Sequence, residues 1–207
     1  NSIMKQKYFY LFLSLIFAVF GYSQQGTHLN FDGNNDLVNC GNDSSVQITG
    51  NQITLEAWIK AESFKPNVWE GTIINKEQNT PDNGYMLRVG ASGQANFNIG
   101  NGSWHEITTP SNTLSTNTWY HLAATYDGTT MILYVDGTIV TSSTSFTGTI
   151  SNSTTNLLIG NIENLSRGFD GDIDEVRIWN VARTQTEIQN NMNCVANSSS
   201  GLVAYYK

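Results

Sequence analysis

In the stretch ITLEAWIKA, residues 53–61, Ile53, Leu55, Ala57 and Ile59 alternate with Thr54, Glu56, Trp58 and Lys60. An extended chain with that pattern turns one wholly apolar face inward and a polar face outward. Short β-rich runs recur at 71–76, 85–89, 95–99, 119–126, 131–135, 138–142, 156–159 and 173–179, each bounded by turn residues. Runs of this length and spacing predict an all-β sandwich or barrel. Asp127-Gly128 and Asp136-Gly137 sit between apolar runs, where a tight hairpin needs positive φ, so 119–142 is expected to form a three-stranded meander. The Ser/Thr/Asn-rich segment 141–155 is interrupted by Phe146 and Ile150 and reads as a long loop with one edge strand.

Residues 169–180, FDGDIDEVRIWN, join an acidic glycine turn to an amphipathic strand. Strict alternation from Ile173 puts Asp174, Val176 and Ile178 on one face and Glu175, Arg177 and Trp179 on the other. Thr184 with Glu187 three residues on forms a capping-box pattern, predicting a short helix with Ile188 and Met192 on one side. This passage resembles laminin-G-like domains of secreted bacterial proteins, relatives of the concanavalin-A-like lectin and glucanase folds. WYHLAATYDGTTMILYVDG at 119–137 and LNFDGNNDLVNCGN at 29–42 share the resemblance, which covers nearly all of 27–207. It implies a two-sheet antiparallel jelly-roll β-sandwich that binds glycans or cell-surface proteins and often holds one calcium ion. In such domains the ion lies where the first strand's Asp-Gly turn meets the last Asp-bearing strand, which Asp32-Gly33 and Asp174 match here. Asp36 is a further hard oxygen donor for an ion that takes six to eight oxygens. Trp58, Trp119 and Trp179 resemble residues packed inside the sandwich.

Lys5 and Lys7 precede an apolar run at 8–20, and Gly21-Tyr22-Ser23 offers small residues where a signal peptidase cuts. The expectation is a leader at 1–23 and one exported domain at 24–207, secreted or displayed on a bacterial cell surface. The run is shorter than the ~20 apolar residues a comfortable membrane span requires. Asn1-Ser2-Ile3 ahead of Met4 reads as a chain that begins upstream of the true start or as a fragment, and a strand at 202–206 that ends while still running reads as a fragment with more protein to follow. Cleavage would remove two lysines and no acid from a chain whose formal net charge is already −7. Without a Lys/Arg cluster to meet phosphates, such a domain is a poor nucleic-acid binder. Cys40 and Cys194 are the only cysteines, and in an oxidising compartment the pair is expected to form a disulfide joining the two ends of the domain. A loop of that length would stabilise by ~4–5 kcal/mol in the entropic account.

Glycan binding needs flat aromatic platforms and hydrogen-bonding groups on rigid strands or their loops. The stretch 96–105 offers Asn96, Asn98, Asn101, Trp104 and His105; Trp69 beside Glu70 is a second platform; Tyr85 and Arg88 are expected on the same sheet. Glycosidases on related folds set paired carboxylates ~5 Å apart. Asp172-Ile173-Asp174-Glu175 only faintly echoes that pattern, with Glu175 facing away from the aspartates, and no nucleophile motif surrounds His28, His105 or His121. The reading is a non-catalytic carbohydrate-binding or adhesion module of a larger protein. The alternatives are a glycoside hydrolase or polysaccharide lyase, and a protein-interaction spacer.

Overall fold

The structure, a computed structural model, describes residues 27–207, so the expected leader at 1–23 lies outside the described residues. In chain order the strands are β1 (Leu29–Asp32), β2 (Val38–Asn39), β3 (Ile53–Ala61), β4 (Gly71–Asn75), β5 (Asp82–Gly90), β6 (Gln94–Gly102), β7 (Trp104–Thr108), β8 (Tyr120–Tyr126), β9 (Met131–Val135), β10 (Thr138–Ser143), β11 (Leu158–Ile159), β12 (Asp170–Trp179) and β13 (Leu202–Tyr206). One helix, α1 (Gln185–Asn191), lies between β12 and β13. Sheet A has the order β1-β12-β3-β8-β9-β10, with β13 also on β12; sheet B has the order β2-β11-β4-β5-β6-β7. Every pairing is antiparallel. The fold is the expected jelly-roll-like sandwich.

The apolar face of β3 does enter the core, where Leu55, Ala57 and Ile59 pack with Ile73, Leu87, Phe97 and Leu133 between the sheets. Burying each larger side chain contributes about 1.5–3 kcal/mol against leaving it in water. The meander is present as β8, β9 and β10, and Asp136 (φ +49°) with Gly137 (φ +70°) makes the tight turn before β10. The loop after β10 is anchored by buried Phe146 and Ile150.

Alternation along β12 does not survive past its middle. Asp174 pairs with Trp58 and Arg177 with Glu56, so two β12 residues oppose Ala57 alone. Glu175 takes the bulge with φ +54°. The bulge resets the faces: Ile173, Val176 and Ile178 point into the core, while Asp174 lies with Asp172, Arg177 and Trp179 on the outer face of sheet A. Asp174 therefore does not share a face with Val176 and Ile178 as alternation predicts. The tryptophans also differ from expectation. None of Trp58, Trp119 or Trp179 belongs to the inter-sheet core. Trp58 donates its Nε1–H to the Met192 carbonyl at 2.8 Å, Arg183 stacks 4.1 Å from the Trp179 ring centroid, and Trp119 lies beside Lys60 and His28.

The predicted helix starts where its capping box stands, with Thr184 and Glu187 exchanging both reciprocal hydrogen bonds. It covers the outer face of sheet A, packing Ile188 on Ala123 and Tyr134. Beneath it Glu56 is fully buried, with Arg183 Nη1 at 2.8 Å, Arg177 Nη1 at 3.4 Å and His121 Nε2 at 3.4 Å. The two arginines also donate to the carbonyls of Glu187 and Asn191, so this charge cluster ties the helix to the sheet.

The expected disulfide is not formed: Cys40 and Cys194 are both free thiols. Cys40 packs against the inter-sheet core, where burial raises its thiol pKa. Cys194 is exposed in the segment that follows α1 across the other face of sheet A.

Candidate functional site

Side chains at alternate positions of β4 to β7 project from the outer face of sheet B. The pairs Arg88 with Asn96, Met86 with Asn98, Asn98 with Glu106 and Gly100 with Trp104 place these residues together. Met86, Arg88, Asn98, Trp104 and Glu106 floor a groove of about 350 Å³ walled by Trp69, Glu77, Asn79 and Arg167. Of the sequence-predicted binding residues, Trp69, Arg88, Asn98 and Trp104 thus converge on one site. His105 does not. One step along β7 from Trp104, it points to the opposite face, stacks on Phe146 with ring centroids 3.7 Å apart, and meets Asn101 Oδ1 at 2.9 Å. Tyr85 also faces inward, donating its hydroxyl to the Val46 carbonyl at 2.9 Å.

The groove is held by its own hydrogen bonds. Asn96, fully buried, accepts Arg88 Nε at 3.2 Å and Nη2 at 3.0 Å on Oδ1, which also takes the Asn98 amide. Its Nδ2 donates to Thr108 Oγ1 at 2.8 Å and Glu106 Oε2 at 3.2 Å. Burial lowers the Arg88 guanidinium to about 10, so it stays charged at neutral pH. Arg167 pairs with Glu77 Oε2 at 2.6 Å and lies 5.2 Å from the Trp69 ring centroid. Asn79 donates to Glu77 Oε1 at 3.0 Å and accepts the Trp104 Nε1–H at 3.3 Å. A methyl on Gly100 would stand 2.8 Å from Trp104 Cζ3, so glycine there lets the indole lie across β6. Trp69 remains 43% exposed, a free aromatic face at the groove's rim.

This arrangement offers two aromatic surfaces with charged donors and acceptors between them. Both oxygens of Glu77 are engaged, by Arg167 and Asn79, rather than poised over open space. The acids of the faint glycosidase echo lie on sheet A instead: Asp172 is held by Lys60 and Asn30, and Glu175 by Arg177 and Tyr205. Glu77, Asn79, Glu106 and Arg167 escaped the sequence reading. Glu106 was legible as the same-face neighbour of Trp104 on β7, whereas Glu77, Asn79 and Arg167 sit on loops whose approach no periodicity encodes.

The expected calcium ligands do not assemble into one site. The residue paired with Asp32 is Asp170, and Asp174 lies four residues further along β12, roughly 13 Å away at strand rise. Asp32 Oδ1 accepts the backbone N–H of Asn34 at 2.8 Å, which lowers its pKa, and the Lys65 ammonium occupies the Gly33 carbonyl at 2.7 Å. That cation stands where a calcium ion would need the same oxygen. Asp174 Oδ1 accepts the Glu175 N–H at the bulge. Asp174→Asn should therefore leave the response of the melting temperature to calcium and EDTA as it is in the wild type; a response lost in the variant would restore Asp174 to a metal site.

An outer-face groove with tryptophan walls on a two-sheet antiparallel sandwich defines a lectin-like β-sandwich domain. Residues 32–189 match the Laminin_G_3 family, described as the concanavalin A-like lectin/glucanases superfamily, and the chain belongs to it. Mouse pappalysin-1 is 30% identical over 164 residues, covering 72% of this chain and 10% of that protein. A Bacteroides ovatus protein, described as a candidate carbohydrate-binding protein, superposes with a TM-score of 0.67 and 27% identity over 87% of this chain and 50% of its own. The CBM40 of a Ruminococcus gnavus sialidase, solved with α2,3-sialyllactose, gives a TM-score of 0.63 at 11% identity, covering 80% of this chain and 96% of its own. The chain thus spans a tenth of pappalysin-1 and half of the B. ovatus protein.

Proposed function

We propose that this domain is a non-catalytic carbohydrate-binding module of a larger exported protein, with the glycan held in the groove on the outer face of sheet B. The carrying observation is the convergence of Trp69 and Trp104 on Arg88, Asn98, Glu77 and Glu106. Indole faces stack on the C–H faces of sugar rings, and buried, prepositioned amides and guanidinium groups bond hydroxyls without first paying to be ordered. The carbohydrate-binding description of the B. ovatus relative and the sugar bound to CBM40 support the same reading. Export is supported by the basic and apolar pattern at 5–20, and membership of a larger protein by the lengths of the relatives.

The test is retention on a panel of immobilised polysaccharides. Trp104→Ala should weaken binding to whichever polysaccharide the wild type retains by about tenfold or more, the effect of losing a central aromatic anchor. The melting temperature should hold, because Trp104 is no part of the inter-sheet core. Wild-type retention left intact by the variant would remove the groove from binding. Release of shortened sugars from a retained polysaccharide would overturn the non-catalytic reading.

A further inference from the structure

A second cleft of about 310 Å³ adjoins the tryptophan groove and shares Glu77 and Asn79 with it. Its other walls come from the 155–164 segment and from Asn75 at the end of β4. Asn75 is 4% exposed, and its Oδ1 has no hydrogen-bond partner. A buried carbonyl oxygen left unpaired is unfavourable unless a donor reaches it, and a sugar hydroxyl is such a donor. No lysine, arginine or histidine lines this cleft. Glu77 already has Arg167 as its counter-ion, whereas Glu163, exposed at the rim, brings an uncompensated negative charge. A carboxylate or sulfate arriving there would meet like charge and find no cationic donor. Leu158 and Ile162 add apolar surface for a ring's C–H face.

We infer that this cleft is a further subsite of the same glycan site, which takes the next residue of the chain, selects an uncharged sugar and donates no charge to it. The inference rests on the glycan reading of the tryptophan groove and deepens it: the ligand is an oligosaccharide long enough to bridge both spaces, with an uncharged sugar in the cleft, rather than a lone terminal sugar.

The test is calorimetric titration of the domain with neutral gluco-, xylo- and galacto-oligosaccharides of increasing length, from disaccharide upward, and with oligogalacturonate. For the neutral series that binds, affinity should climb with length until both spaces are filled and then level off. Asn75→Leu, which keeps bulk but removes the acceptor, should lower affinity for the long ligand about fivefold to tenfold and leave the disaccharide unchanged. Trp104→Ala should weaken both. Glu163→Gln should relieve the exclusion of oligogalacturonate, and it reports on the cleft even if Asn75→Leu does not fold. Length-independent affinity, or tighter wild-type binding of oligogalacturonate than of any neutral ligand, would overturn the subsite and leave the tryptophan groove standing. Failure of the whole panel to bind would overturn the glycan reading and the subsite with it.

Discussion

Replacing Glu56 by alanine should destabilise the domain by about 3–5 kcal/mol, the range seen when one partner is removed from a buried ion cluster. Among the described residues Glu56 is the carboxylate salt-bridged to Arg183, and it also meets Arg177 and His121. Its loss strands buried positive charge under α1, and because Arg183 and Arg177 also bind the carbonyls of Glu187 and Asn191, the helix should loosen with them. Burial by itself would raise the Glu56 carboxyl, but the neighbouring His121 and Arg183 overcome it and hold the group below its usual value of 4.5. A carboxyl with a depressed folded pKa stabilises at pH above its unfolded value, and that stability is lost as pH falls through the folded one. Wild type should therefore lose stability on acidification more steeply than Glu56→Ala. Denaturant unfolding across the acid range measures both effects; a loss under about 1 kcal/mol at neutral pH would show that the cluster does not hold the helix.

Asn96→Ala should be the most damaging single change at the groove. The side chain is fully buried, accepts twice from Arg88 and once from Asn98, and donates to Thr108 and Glu106. Alanine leaves a buried guanidinium without its acceptor, at a cost of about 2–3 kcal/mol, and frees Arg88 and Asn98 to rotate away from the groove. Glycan affinity should fall along with stability. Asn96→Asp separates the two roles. It keeps the acceptor for Arg88, and strengthens it with charge, but repels Glu106 and donates nothing to Thr108. Arg88 should then stay in place and binding should recover further than stability does. Equal loss in both variants would show that Arg88 is not positioned by Asn96.

Which features the sequence exposed follows from what periodicity encodes. The apolar face of β3, the β8 to β10 meander and the Thr184 capping box are local patterns, and each stands as read. Trp69, Arg88, Asn98 and Trp104 were legible as residue types suited to sugars. The same period-two rule, applied to Trp104 and His105, already separates those neighbours to opposite faces, so His105 was a misreading of the pattern and not a limit of it. The bulge at Glu175 is different: a left-handed residue inserted in β12 leaves no compositional trace, and it turns Val176 and Ile178 to the core side with Ile173, away from the outer face that holds Asp174. Trp58 reads as core because the segment after α1 that covers it arrives from distant sequence, whereas the cover of Trp179, Arg183, lies only four residues on. The same long-range packing sets Cys194 on the far side of sheet A from Cys40, and register alone brings Asp170 rather than Asp174 to Asp32.

The most direct test of where this domain meets its ligand is a ¹⁵N NMR titration with an oligosaccharide from a polysaccharide that it retains. The account predicts that the Trp69 and Trp104 indole N–H signals, the side-chain amides of Asn79 and Asn98 and the Arg88 Nε–H shift progressively with ligand. The indoles of Trp58 and Trp179, the residues of α1 and the turn at 33–36 should stay where they are. Shifts centred on the outer face of sheet A or on the Asp32-Gly33 edge, with sheet B unmoved, would contradict it.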